Sequence, residues 1–218
     1  MKIAICIPCH GDPKLGFAMS LARLAAHSVS HGLKIGIQDG SSANLPWLRC
    51  DLVKAVLPLE PDYIFWLDAD HIFPPDSLIR LLAHDKPVVG VNQPTRSNPE
   101  CPTAAVGPME RIVTTEDLAK RGVLRRVESM GLAMCLMRTE IFARLDKPWF
   151  ASEPTEDGEQ FIGEDFYFFQ KLKAAGIPAF VDHGLSWDVG HISQTVLTNA
   201  GTKGVRRADI DLPAAGAA

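Results

Sequence analysis

The stretch Tyr63-Ile-Phe-Trp-Leu-Asp-Ala-Asp-His-Ile-Phe-Pro-Pro-Asp-Ser-Leu78 decides the fold of this chain. Five aromatic or aliphatic residues come first, from Tyr63 to Leu67, which is typical of a strand covered on both faces. Pro74 and Pro75 then end the extended segment, and Pro75 is predicted to be the first residue of a helix. A buried strand followed directly by a helix indicates an α/β sheet.

Two carboxylates, Asp68 and Asp70, stand where this strand leaves the sheet. Ligands of open α/β sheets bind at the carboxyl ends of the strands. Two acidic side chains so close together repel each other unless a cation neutralises them, and hard oxygen ligands suit Mg²⁺ or Mn²⁺. The ordinary alternative is a pair of turn or cap residues. Because the pair directly follows a buried strand, we expect a divalent cation site.

Strand and helix signals alternate through the first half of the chain. Strands are predicted at 2–8, 33–38, 63–67 and 88–92, and helices at 15–29, at 48–57 and from Pro75 onward. This alternation predicts a parallel, doubly wound sheet with helices on both faces.

The second half has a mixed pattern. Residues 94–110 carry four prolines and predict an ordered loop or flap near the site. Further elements are predicted as strands at 124–127, 132–137 and 179–182, helices at 139–145 and 164–175, and a strand-like stretch at 186–189. We therefore predict one α/β domain over residues 1–200, with a mostly parallel central sheet flanked by helices and a mixed C-terminal half. Residues 201–218 are predicted to be a flexible tail.

Composition restricts the partners and the compartment. The net charge of −4, from 22 basic and 26 acidic residues, argues against a general nucleic-acid coat, although basic residues cluster at 120–126 and 203–207. No apolar run approaches the roughly 18 residues of a membrane span. Five cysteines with a single CxxC pattern favour a reducing compartment. We expect the cytoplasm of a bacterium or of a phage-infected host.

Two further groups carry side chains suited to chemistry. Glu164 and Asp165 begin a predicted helix, where acids ordinarily complement the helix dipole. In a cleft, one of them could instead act as a general base, and only one need face the cleft because adjacent helical positions point about 100° apart. His191 follows a glycine and could be the third protein ligand of the cation, or an ordinary satisfied histidine.

These pieces, in this order, resemble the GT-A type of nucleotide-sugar glycosyltransferase, in its family-2-like branch. The resemblance rests on Ile5-Cys-Ile-Pro8, the block from Phe65 to Asp76, Gly131 with the apolar strand after it, Pro148-Trp-Phe150, Gly163-Glu-Asp165 and His191. It spans roughly residues 3 to 193. Small phage and bacterial members look especially similar, including their counterpart of Arg49-Cys-Asp-Leu-Val53.

The resemblance implies metal-dependent transfer of a sugar from a nucleotide-diphosphate sugar, UDP-linked or else GDP-linked, to a hydroxyl acceptor. Asp68, Asp70 and His191 would hold Mn²⁺ or Mg²⁺. Asp165 would be the base of an inverting reaction, with Glu164 beside it. A metal-binding histidine is also common in retaining relatives, in which Asp165 would lose this role.

The resemblance also implies substrate contacts. The donor nucleotide would contact Pro8, His10, Asp12, Asp39, Arg49, Asp68 and Arg206, or Arg207 in place of Arg206. The acceptor pocket would be bordered by Gly131, Leu132 and Trp149. The sequence has Cys9-His-Gly-Asp12 where relatives usually have Tyr-Asn, which leaves the nucleotide base open.

Two alternative functions stay open at this point. The acceptor could be a hydroxymethylated base of phage DNA, which the basic residues at 120–126 favour and the overall acidity disfavours. The chain could also be a nucleotidyltransferase. Those enzymes usually carry a glycine-rich basic loop after the first strand, whereas this chain has only one glycine and one lysine there.

Overall fold

The computed structural model describes residues 1–96, 100–107 and 110–193. Arg206, Arg207, the predicted tail at 201–218 and the predicted domain boundary at residue 200 lie outside the described residues.

The described chain alternates strands and helices. The strands are β1 (Lys2–Cys9), β2 (Lys34–Ser41), β3 (Tyr63–Leu67), β4 (His71–Ile72), β5 (Val88–Gly90), β6 (Ala105–Gly107), β7 (Glu110–Arg111), β8 (Leu124–Val127), β9 (Met134–Arg138), β10 (Glu153–Pro154), β11 (Phe161–Ile162), β12 (Ala179–Asp182) and β13 (Gly190–His191). The α-helices are α1 (Leu15–Ser30), α2 (Leu45–Val56), α3 (Ser77–Ala83), α4 (Glu116–Lys120), α5 (Glu164–Ala174) and α6 (His183–Asp188).

A central sheet of seven strands has the order β2-β1-β3-β9-β5-β12-β8 within the described residues. The pairs β1–β2, β1–β3 and β5–β12 are parallel. Strand β9 lies antiparallel between β3 and β5, and β8 is antiparallel at the edge. Five strands therefore share one direction, which confirms the predicted mostly parallel sheet with a mixed C-terminal half.

Strand β3 divides the core into two layers because its side chains alternate between the faces of the sheet. Ile64 and Trp66 pack in one layer with residues of α2 and α5, whereas Phe65 and Leu67 pack in the other with residues of α1 and α3. All five residues of β3 are buried. This burial on both faces is what the apolar run at 63–67 predicted.

Three local predictions are wrong in detail. Helix α3 begins at Ser77 after Asp76 as its N-cap, so Pro75 lies in the preceding turn. The predicted strand-like stretch at 186–189 is mostly helix α6, because the Asp182 carboxylate accepts the Leu185 backbone N–H at 2.9 Å and caps this helix. The predicted helix at 139–145 is a 3-10 helix over Thr139–Ala143.

Within the described part of the chain, no helix combines the length and the hydropathy that crossing a bilayer requires.

Gly90 tests the close packing between β5 and β9. A Cβ atom on Gly90 would lie 2.6 Å from the Met134 carbonyl oxygen, which is backbone and cannot rotate away. We expect Gly90→Ala to lower the free energy of unfolding by about 1–3 kcal/mol, as overpacking does. Urea denaturation measures this change.

Gly36→Ala is the matched control, because a Cβ atom there would lie 4.0 Å from its nearest neighbour, the Ile3 carbonyl oxygen. We expect its effect to stay within about 0.5 kcal/mol. Equal destabilisation by the two substitutions would contradict the packing argument.

Candidate active site

A cleft of about 410 Å³ opens at the carboxyl ends of β1 and β3. Five residues predicted from the sequence border it: Pro8, His10, Asp12, Asp68 and Asp70. Lys14 and Arg96 also line the cleft and add positive charge that the sequence analysis did not assign. The structure therefore brings the first-strand loop and the two carboxylates to one place.

The backbone around Asp70 is fixed by pairing between distant segments. The Asp68 N–H donates to the Ala133 carbonyl at 2.9 Å as the chain leaves β3. Strand β4 then pairs antiparallel with β13, with His71 opposite His191. The Ile192 N–H donates to the Asp70 carbonyl at 2.8 Å. This pairing places His191 beside Asp70.

His191 faces the Asp70 carboxylate with one ring nitrogen and a backbone carbonyl with the other. Its Nδ1 lies 2.9 Å from the Pro94 carbonyl oxygen, which can only accept, so Nδ1 carries the hydrogen. Its Nε2 lies 3.3 Å from Asp70 Oδ2. In a neutral imidazole, the Nε2 lone pair would therefore point at a negatively charged oxygen. Either a proton or a metal cation must lie between them.

His71 is a third residue of this cluster and was not assigned from the sequence. Its Nδ1 lies 2.9 Å from Asp70 Oδ1, and its side chain is 2% exposed. Neither ring nitrogen has a hydrogen bond of good geometry among the described residues, so the contact of Nδ1 with Asp70 is an ion-pair distance. The ring stacks on His191, with centroids 4.2 Å apart and 19° between the planes. The only sequence signal was its position directly after Asp70.

The cluster fits a divalent cation. The ligand atoms of Asp70, His71 and His191 lie within 4.8 Å of one another. Ligands about 2.1 Å from an ion are at most about 4.2 Å apart, so the side chains need to move only slightly. Two nearly parallel rings cannot both have one ion in their planes. One of the two imidazoles, that of His71 or that of His191, could therefore share an ion with Asp70.

The Asp70 carboxylate is ionised in this setting. Burial on its own would raise the pKa of Asp70, but the contacts with His71, His191 and Arg96 lower it to about 2. An ionised carboxylate is the form that binds a metal ion.

Asp68 is held by a different partner. Arg49 Nη2 lies 3.0 Å from Asp68 Oδ1, and Arg49 Nε lies 3.3 Å from Glu164 Oε1. The Arg49 guanidinium also lies 5.1 Å from the centre of the Trp66 ring. Asp68 therefore lies outside the cluster that could hold a metal among the described residues. Arg49 is 1% exposed, so its guanidinium is a buried link between Asp68, after β3, and Glu164 on α5 and offers almost no surface to a nucleotide.

Asp165 has the charge environment of a general base. Its Oδ1 accepts the Phe166 N–H at 2.8 Å, while the neighbouring Glu164 carboxylate is engaged by Arg49. Burial and the negative charge of Glu164 raise the pKa of Asp165 to about 6. A pKa near neutrality suits proton transfer at physiological pH. The two adjacent acids therefore have different environments.

The residues predicted to border the acceptor pocket are buried. Leu132 and Trp149 are buried in the core, and the Trp149 indole N–H donates to the Phe142 carbonyl at 3.1 Å. A Cβ atom on Gly131 would lie 2.2 Å from Gln93 Nε2, so this glycine permits close packing. Trp149 also borders a cavity of about 620 Å³ together with Trp47 and Phe150, so its place at the acceptor pocket stays a prediction, whereas Leu132 lines none of the cavities described here.

A second cavity, of about 430 Å³, opens beside the start of α5. Gly163 and Phe166 line it directly next to Asp165, and Phe161 on β11 lines it with a side chain that is 74% exposed. Polar and charged side chains also line it: Glu128, Ser129, Thr155, Gln160, Gln170 and Lys173. This mixture of one exposed aromatic ring and several hydrogen-bonding groups suits a hydroxyl-rich ligand.

Asp39 and the basic residues at 120–121 are not among the candidate metal ligands of the described residues. Asp39 borders a separate cavity of about 440 Å³ that α1 also lines. In α4, Lys120 pairs with Glu116 at 2.7 Å and Arg121 pairs with Asp117 at 3.2 Å. These pairs reduce the positive charge that this surface offers to DNA.

No family model and no curated protein matches this sequence. Solved structures do match. The A197 protein of STIV is 14% identical, with a TM-score of 0.56 over 91% of this chain and 97% of that chain. A Drosophila β-1,4-galactosyltransferase 7 variant, solved with manganese, UDP-Gal and xylobiose, is 14% identical, with a TM-score of 0.51 over 88% of this chain and 71% of that chain. The chain has a GT-A glycosyltransferase-like fold. At this identity the likeness concerns the fold alone. In open α/β sheets, ligands bind at the carboxyl ends of the strands, where the Asp70 cluster lies.

The raised pKa of Asp165 predicts a stability effect. Because the pKa of Asp165 is raised in the folded state, ionising this carboxyl lowers the free energy of unfolding. This loss of stability is absent below the ordinary pKa of 3.8 and complete above about pH 6. We expect Asp165→Asn to raise the free energy of unfolding at pH 8 by about 2 kcal/mol and to have no effect near pH 4. Denaturant titrations at the two pH values measure this difference.

Glu164→Gln is the control for this prediction, because it removes the carboxylate that pairs with Arg49 and should destabilise the protein at pH 8. If Asp165→Asn instead destabilises the protein at pH 8, the Asp165 carboxylate stabilises the start of α5 as an ordinary acid at a helix N-terminus does.

Arg49 should be essential for folding stability. Arg49→Met leaves the Asp68 and Glu164 carboxylates without their buried cation, and we expect a loss of about 3–5 kcal/mol in the free energy of unfolding. The control is Arg138→Met, which breaks a more exposed pair with Asp85 and should cost at most about 1 kcal/mol. Similar losses in the two variants, measured by thermal or urea unfolding, would argue against a special role for Arg49.

Proposed function

We propose that this protein is a metal-dependent glycosyltransferase that moves a sugar from a nucleotide-diphosphate sugar to a hydroxyl acceptor. The observation that carries the proposal is the pairing of His191 Nε2 with Asp70 Oδ2 at 3.3 Å, while the Pro94 carbonyl holds the hydrogen on Nδ1. A divalent ion between the two atoms would satisfy this arrangement, as would a proton, and Asp70 lines the cleft at the carboxyl ends of β1 and β3.

The cation is proposed to be Mn²⁺ or Mg²⁺, with Asp70 and His191 as protein ligands and Asp68 nearby. When bound, such an ion neutralises the negative charge that develops on a leaving diphosphate. Few protein ligands leave open positions for diphosphate oxygens. A carboxylate–imidazole pair suits Mn²⁺ well, since it combines a hard oxygen with a nitrogen donor.

The donor nucleotide is proposed to lie in the 410 Å³ cleft, along the loop with Pro8, His10 and Asp12. The ammonium of Lys14 and the guanidinium of Arg96 line the same cleft and can offset phosphate charge. The Drosophila structure of similar fold is a complex with UDP-Gal and manganese, which supports a UDP-sugar here, with a GDP-sugar as the second choice.

Asp165 is proposed to be the general base of an inverting transfer. The acceptor oxygen attacks the anomeric carbon, its proton passes to the Asp165 carboxylate, and the sugar–phosphate bond breaks with its electron pair leaving on the diphosphate. The cavity beside Gly163 would hold the acceptor, with Phe161 as an aromatic surface for a sugar ring. Xylobiose in the Drosophila complex is consistent with a carbohydrate acceptor. No structural feature favours DNA over a carbohydrate among the described residues.

Metal-dependent nucleotide binding tests the proposal. We expect isothermal titration to show binding of UDP or GDP only in the presence of Mn²⁺. Asp70→Asn and His191→Gln should each weaken this binding by about 100-fold or more, because each removes a direct ligand where even supporting residues contribute 10- to 100-fold.

Asp188→Asn is the control, since Asp188 lies near His191 in sequence but pairs with Arg80 at 2.7 Å. It should bind Mn²⁺ and nucleotide like the wild type. Wild-type protein that binds no nucleoside diphosphate with Mn²⁺, or an Asp70→Asn variant that binds it unchanged, would refute the proposed function.

A further inference from the structure

Arg96 lines the candidate cleft, although no sequence pattern singles it out. Its side chain is 58% exposed and lines the cleft together with Asp12, Lys14 and Asp70. It follows Pro94, whose carbonyl holds His191, by two residues. The preceding Thr95 N–H donates to the Cys101 carbonyl at 2.8 Å, which anchors the backbone next to Arg96.

Arg96 and His191 contact the same oxygen atom. Arg96 Nη1 lies 3.2 Å from Asp70 Oδ2, and His191 Nε2 lies 3.3 Å from that same Oδ2. A divalent ion held by Asp70 and His191 would lie about 2.1 Å from this oxygen. The guanidinium would then be within a few ångströms of a doubly charged cation. Since like charges at this separation repel strongly, Arg96 and the ion compete for Asp70.

The Arg96 side chain can move to another position within the same cleft. Its exposed side chain is on a connecting segment after β5, so a change of rotamer does not disturb the core. A nucleoside diphosphate in the cleft brings oxygens that match the planar donor pattern of a guanidinium. The negative charges of Asp12, Asp68 and Asp70 also line this cleft, so a diphosphate needs cations from the protein as well as a metal.

We propose that Arg96 has two binding partners: it neutralises Asp70 when the cleft is empty, and it binds the diphosphate when metal and nucleotide enter together. This inference rests on the proposed function and extends it. If Arg96 has these two partners, the metal ion and the nucleoside diphosphate change each other's affinity. Metal without nucleotide must displace Arg96 from Asp70 and so binds weakly. Metal with a diphosphate gives Arg96 a new partner and so binds more tightly, and the coupling is reciprocal.

The experiment compares wild type, Arg96→Gln and Arg96→Lys by isothermal titration, with Arg23→Gln as control because Arg23 is exposed on α1 and does not line the cleft. Each protein is titrated with Mn²⁺ alone, and then with UDP, GDP and the two nucleoside monophosphates at saturating Mn²⁺. Thermal melting shows whether each variant is folded.

We expect Arg96→Gln to bind Mn²⁺ alone severalfold more tightly than wild type, because a competing cation is gone. It should bind the nucleoside diphosphate at least about tenfold more weakly, as loss of a charge-assisted hydrogen bond implies. The monophosphate should lose less affinity than the diphosphate. Arg96→Lys should fall between wild type and Arg96→Gln, and Arg23→Gln should match wild type.

Two outcomes would overturn the inference while leaving the proposed function intact. If folded Arg96→Gln loses Mn²⁺ and nucleotide affinity together, Arg96 supports the metal site. If it changes neither affinity, its contact with Asp70 is an ordinary surface ion pair. Wild-type protein without Mn²⁺-dependent diphosphate binding would instead overturn the proposed function, and the inference with it.

Discussion

One electrostatic constraint organises the candidate site: the ionised carboxylate of Asp70 faces the Nε2 atom of His191 across 3.3 Å. The Pro94 carbonyl takes the only hydrogen that a neutral imidazole can donate, so Nε2 offers a lone pair to a negative oxygen. This contact is favourable only when a proton or a metal cation lies between the two atoms. The pairing of β4 with β13 makes the two side chains meet, and His71 packs behind them.

A second charge network separates the two carboxylates that follow β3. Asp68 forms an ion pair with the buried Arg49, which also pairs with Glu164 at the start of α5. Asp70 instead contacts the imidazoles of His71 and His191 and the guanidinium of Arg96. Arg49 therefore fixes the position of α5 relative to β3, and with it the position of Asp165. Burial and the negative charge of Glu164 raise the pKa of Asp165, whereas Glu164 itself pairs with Arg49, so the two neighbouring acids have different environments.

Much of the fold was predictable because it depends on local patterns. The run from Tyr63 to Leu67 predicted a strand buried on both faces, and its residues do alternate between two core layers. The strand at 179–182 and the helix at 164–175 were also correct or nearly so. The segment before His191 was not, because a single capping carboxylate, that of Asp182, makes it helical. A six-residue segment carries too little periodicity to reveal this.

The sequence by itself determined the class of the sheet, the position of a carboxylate pair at a strand end and the acids at a helix start, since each follows from neighbours along the chain. Only the tertiary structure decided which groups meet. Asp70 and His191 are 121 residues apart, and Arg49 and Glu164 are 115 apart. In the tertiary structure Asp68 pairs with Arg49, and His71 and Arg96 contact Asp70. Leu132 and Trp149 are buried in the core. Contacts of this kind depend on strand order and on which face is covered, and no local pattern encodes either.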